Sequence, residues 1–131
     1  MLITGDIIVA PFPFGYGGYP TDWPRTLDKL GGYDFRVLVP GHGPPQHDRA
    51  YLDRVGAALD DVRAKAAPLA AVGLSLDDVI RRTDASAQIQ VFAGDDPWLR
   101  RWMQDYWLSP IITSAYKEAK GRPIVQSLRG E

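Results

Sequence analysis

The chain of 131 residues has no cysteine and only two histidines. Without thiols it can build neither a disulfide framework nor a thiolate metal site, and the redox compartment stays open. Fifteen basic residues against sixteen acidic ones leave a net charge of −1. That balance gives no electrostatic footprint for nucleic acid or an anionic membrane. No apolar run approaches the length of a membrane span. Residues 1–10 lack both the basic leader and the small-residue cleavage site of a signal peptide. Localisation is therefore unknown, with the cytoplasm as the default expectation. Apolar residues at 45% and charged residues at 24% place the chain in the globular rather than the disordered class. Its length suits one small domain with its own core and leaves no room for a second.

Along the chain the pattern is α/β. Residues 2–10 are almost continuously apolar and predict a strand buried on both faces, broken by Gly5 and Asp6. Residues 11–20 hold four aromatics among prolines and glycines, so they read as an irregular loop. Thr21 can cap a short helix in which Trp23, Leu27 and Leu30 share a face, ended by Gly31 and Gly32. Phe35 to Val39 predicts a second short buried strand. A long helix follows over about 47–67, with Tyr51, Val55, Leu59 and Val62 on one face and Pro68 and Gly73 marking its end. Ser75 and Asp78 start a short helix over 76–82. Residues 84–94 fit a short strand or a loop. Asp96-Pro97 starts a further helix with an apolar stripe of Trp98, Leu99, Trp102, Met103 and Tyr106, broken or kinked at Pro110. The chain thus divides into a strand–loop–helix–strand–helix core over 1–73 and a helical extension over 74–131, together a single domain.

Two polar residues stand at the strands. Asp6 interrupts an apolar run, where a carboxylate is costly unless it is paired, coordinates a metal, or marks a turn. His42 sits between two glycines and is flanked by Pro40 and Pro44, in a loop stiff enough to hold an imidazole still. If the strands are neighbours, Asp6 and His42 meet at one sheet edge, where ligands of α/β proteins gather. A carboxylate with an imidazole suits zinc, iron or manganese. Two donors do not complete a site, and the other histidine, His47, reads as a surface residue near a helix start. Asp53, Asp60 and Asp61 read as charges on a solvated helix face.

The segment "TGD" on an apolar strand, with "VLVPGHGP" some 35 residues later, resembles the metallo-β-lactamase fold hydrolases. The intervening "PFPFGYGGYPTDWPRTLDKL" and the following "YLDRVGAALDDVRAKAAPLAAVGLSLDDV" resemble the segments those proteins place there. The resemblance covers roughly residues 1–80. It implies an αββα sandwich that usually binds two metal ions, commonly zinc, sometimes iron or manganese. It also implies metal-dependent hydrolysis of an ester, amide, thioester or phosphoester. Asp6 matches the ligand that bridges the two metals and His42 the last histidine ligand.

The family's H-x-H-x-D-H motif is absent, and two histidines could not supply it. The resemblance thus implies a single partial domain, the C-terminal half of such a sandwich, a fragment with weak metal binding and no hydrolysis alone. Its partner would be the missing N-terminal half or a complementing chain. In that reading Phe14, Tyr16 and Tyr19 border the site mouth as substrate-loop candidates, against the alternative that they pack over the sheet edge. The competing expectation is a non-catalytic interaction module, docking through Trp98, Trp102, Tyr106 and the uncovered sheet, or a homo-oligomer.

Overall fold

A computed structural model describes residues 1–124; the last seven residues of the expected helical extension lie outside the described part. Strand β1 spans Leu2–Val9 and strand β2 Leu38–His42, and the two pair in parallel. Helix α1, Asp22–Gly31, crosses between them. Then come α2 (Ala50–Ala71), α3 (Leu76–Arg82), α4 (Ser86–Ala93) and α5 (Pro97–Met103). A π-helical turn over Gln104–Leu108 leads directly into α6, Ser109–Ala119. The fold is mixed α/β, as expected.

The core forms where helical faces converge. Helix α2 packs on α1 and α6. Leu27 comes from α1, Val55, Leu59 and Val62 from α2, and Ile111, Ile112 and Ala115 from α6, all buried together. The four residues expected on the α2 face are all buried. Tyr51, first of them, donates its hydroxyl to the Val9 carbonyl at 2.6 Å and so ties α2 to the end of β1. Burial raises its phenol well above the ordinary value, with the Arg54 guanidinium opposing the shift. The neutral form is thus the one that fits the fold. Stability from this group is complete below the free phenol's value of about 10 and is lost as pH rises through the raised one. Tyr51→Phe should cost about 1 kcal/mol at neutral pH. It should also flatten the loss of stability above about pH 10, as read by urea denaturation across that range.

Several local expectations need correction. Strand β1 is not buried on both faces: Thr4 and Ile8 turn inward, while Ile3 is 69% and Ile7 40% exposed. Among the described residues that second face is covered only in part, near Ile7. Strand β2 begins three residues later than expected and reaches His42, with Phe35 packed against the core ahead of it. Helix α2 runs through Pro68 to Ala71, because packing along its length outweighs the one hydrogen bond a proline removes. Residues 86–93 are helical rather than strand or loop, with Ala93 buried and Ile89 and Phe92 packed against the core. Asp96 and Ser75 cap their helices through their side chains as expected. Thr21 does not; its hydroxyl donates to the Glu118 carboxylate at 2.9 Å and pins the loop end to α6.

Pro110 interrupts the α-helix, in line with the expected break or kink, but does not end it. It has no N–H to give the carbonyl four residues back, and the chain widens into the π turn just before it. The Tyr106 carbonyl, to which Pro110 can donate nothing, accepts the Gly15 N–H at 2.8 Å. Gly15 lies so close that a Cβ there would sit 2.5 Å from the Trp107 carbonyl oxygen. One proline in the C-terminal helix thereby fixes where the aromatic loop docks.

Candidate functional site

The parallel ladder brings Asp6 and His42 together, and its irregularity sets how. Leu2 pairs with Leu38 and Ile3 with Val39, but then Gly5 meets Pro40 and Val9 meets His42. Between the last two pairs β1 advances four residues while β2 advances two. The surplus swells β1 out of register, and Gly5 at φ 55° takes the left-handed conformation such a bulge requires. Asp6 is thereby lifted off the ladder onto the rim. This is the physical content of "TGD": a bulge glycine that re-aims the next side chain.

The loop carrying His42 is held from both sides. The Leu38 and Gln46 backbones exchange N–H···O bonds of 2.9 and 2.8 Å, closing the segment between them. Ala10 N–H donates to the His42 carbonyl at 3.0 Å. A Cβ at Gly41 would collide with the Asp6 carboxylate and lie 2.7 Å from the Gly5 carbonyl carbon; one at Gly43, φ 92°, would lie 2.7 Å from Ala10 Cβ. Both glycines are there to let the loop lie flat on β1.

The outcome is one pair: His42 Nε2 lies 3.5 Å from Asp6 Oδ1, with both side chains about 70% exposed. Two donors bound to one tetrahedral zinc at ordinary bond lengths stand about 3.4 Å apart, so the pair fits two neighbouring positions of such an ion. Among the described residues no group of three or more acidic or histidine side chains could hold a metal ion. His47 is elsewhere, in a cleft with Tyr33, Phe35 and Arg36. Asp53, Asp60 and Asp61 are paired along α2 with Arg49, Arg63 and Lys65.

Asp6 and Phe14 together separate two clefts. One, about 760 Å³, runs beneath the aromatic loop and is lined by Tyr16, Tyr19, Trp23 and Ile7. The three loop aromatics are neither buried nor free: Phe14, Tyr16 and Tyr19 are 41%, 40% and 50% exposed. The other cleft, about 390 Å³, holds both Asp6 and His42. Its walls are Val9, Ala10, Pro11, Phe12 and Phe14, closed on the far side by Trp102 and Tyr106. No protein-family model, curated protein or solved structure matches the chain.

Trp102 and Tyr106 are the site-lining residues that sequence reasoning assigned elsewhere. They were expected to face a docking partner, and nothing in local spacing links positions 14 and 106. The overlooked signal was Pro110. The carbonyl it frees recruits Gly15, which carries Phe14 against Tyr106 with ring centroids 6.2 Å apart.

Proposed function

We propose that Asp6 and His42 are two ligands of a metal centre in a hydrolase of the metallo-β-lactamase type, whose remaining ligands come from polypeptide outside this chain. The observation that carries the reading is the 3.5 Å approach of Asp6 Oδ1 to His42 Nε2 at neighbouring parallel strands. A hard carboxylate oxygen and a borderline imidazole nitrogen form a donor set suited to zinc, and also to iron or manganese. A bound ion supplies Lewis-acid chemistry toward a scissile ester, amide, thioester or phosphoester. The chain's own part is to hold both donors still: the bulge at Gly5 aims the carboxylate, and the clamped loop fixes the imidazole. The open face of β1, with Ile3 and Ile7 exposed, supports a covering partner such as the other half of an αββα sandwich.

Equilibrium dialysis against zinc tests this. The chain should take up zinc weakly, Asp6→Ala and His42→Ala should each weaken uptake by at least about tenfold, and ester hydrolysis should stay at background. Uptake that survives both substitutions would overturn the reading.

A second reading, a non-catalytic interaction module, is favoured by the exposed ring row. Trp98 and Trp102 have ring centroids 5.2 Å apart, and Trp102 stacks on Tyr106 at 4.7 Å and 12°. Under it the same two alanine substitutions leave folding and assembly unchanged with no metal present.

A further inference from the structure

We infer that the 390 Å³ cleft beside Asp6 and His42 binds an uncharged aromatic group, the apolar end of whatever substrate the pair acts upon. The inference rests on the site reading above for its link to chemistry, but not for binding itself. The cleft falls within the size range of small-molecule sites. Apart from Asp6 and His42 at one end, and the Tyr106 hydroxyl, its lining side chains are apolar: Val9, Ala10, Pro11, Phe12, Phe14 and Trp102. Three lining rings already stand in stacked arrangement. Trp102 lies on Tyr106 nearly parallel, and Phe14 faces Tyr106 at 24° between ring planes. Each ring keeps over a third of its surface exposed, so aromatic area is presented rather than spent on the core. A flat ring lying against their exposed surfaces gains both burial and aromatic contact.

Charge decides which aromatic. Among the described residues the only carboxylate in the lining is Asp6, and no Lys or Arg lines the cleft. In the metal-free chain an anionic group on the bound ring would meet Asp6 with no Lys or Arg to offset it, so that chain favours a neutral end. The occupant is thus a small molecule with an aryl group next to its reacting bond.

Phe14, Trp102 and Tyr106 then act as specificity residues, contributed by a loop and a helix far apart in sequence. The Gly15–Tyr106 hydrogen bond holds the two walls at a fixed spacing.

The test is a titration of the isotope-labelled, metal-free chain with 4-phenylbutan-1-ol and with 4-phenylbutanoate, followed in amide correlation spectra. The alcohol should give saturable shifts confined to Ala10, Phe12, Phe14, His42 and the Trp102 indole. The carboxylate should bind several-fold more weakly. Trp102→Ala should weaken the alcohol about tenfold, and Trp102→Phe, which keeps a ring, should restore most of it. Asp6→Asn should abolish the discrimination against the carboxylate. Shifts that scatter over the surface, fail to saturate, or persist unchanged in folded Trp102→Ala would overturn the inference. Because no metal is present, failure of the zinc experiment and failure of this one are read separately.

Discussion

Gly41→Ala should destabilise the chain by about 2 kcal/mol or more, lowering Tm by roughly 8 °C at this chain length. It should also pull Asp6 and His42 apart. The added methyl would meet the Asp6 carboxylate, the Gly5 carbonyl carbon at 2.7 Å and the Asp6 nitrogen at 2.8 Å. Two of the three are backbone and belong to the bulge, so no rotamer change relieves the collision. Gly41 is not among the residues with positive φ, so alanine is sterically acceptable there as a backbone conformation, and the whole cost is contact. Gly73→Ala separates the two effects. Gly73 has φ 90° and open space around its Cβ direction, so alanine there carries only conformational strain, about 1 kcal/mol. Thermal melts of both variants, with Asp6 and His42 amide shifts, check the ranking. A Gly41→Ala chain as stable as the parent, with those shifts unmoved, would mean that the loop does not lie on β1.

This contrast shows what the sequence could and could not reveal about the site. The Gly-His-Gly loop was legible as a rigid presentation device, because glycine and proline restrict the backbone locally. That Asp6 and His42 lie side by side followed only on the assumption that the two strands pair. The reason for the first glycine was hidden, since it depends on a carboxylate 35 positions away crossing the loop. The register slip that lifts Asp6 out of the sheet is likewise a property of two strands together, and neither strand's own pattern encodes it.

The fold was legible where one periodicity dominated. The α2 face and the caps at Ser75 and Asp96 were readable because helical spacing and capping chemistry are local. Residues 86–93 were not, since a short apolar stretch fits strand or helix equally until it has a surface to pack on. Burial of β1 was misread for a related reason. A continuous apolar run says that both faces favour cover, whereas the described residues bury one face and cover the other only in part. The stripe over 98–106 divides in the same way. Met103 is fully buried, while Trp98, Trp102 and Tyr106 stay partly exposed along the row that reaches the cleft.

The largest loss of stability is expected from Trp107→Ala, about 3–5 kcal/mol. Trp107 is fully buried in the π turn, where the widened backbone meets the core. Its ring stands edge-on to Phe92 at 5.6 Å, and Phe92 stands edge-on to Tyr51 at 6.1 Å. One indole thus joins the C-terminal helix to α4 and, through it, to α2, so truncation opens a cavity at the junction of three elements. Trp107 also carries a cost in the native state, because its buried Nε1 has no hydrogen-bond partner among the described residues. Leaving such a donor unsatisfied forfeits about 1–3 kcal/mol, and the residue is retained because its area of contact outweighs that. Trp107→Phe removes the orphaned donor while keeping a ring against Phe92, so it should cost less than half as much as alanine. Urea denaturation of the three proteins tests the order, with a constant m-value showing that the native core rather than the denatured state has changed. A loss below about 1 kcal/mol for Trp107→Ala would place the centre of the core elsewhere. An equal loss for both variants would mean that contact with the outer indole ring, and not the shared ring against Phe92, holds the junction.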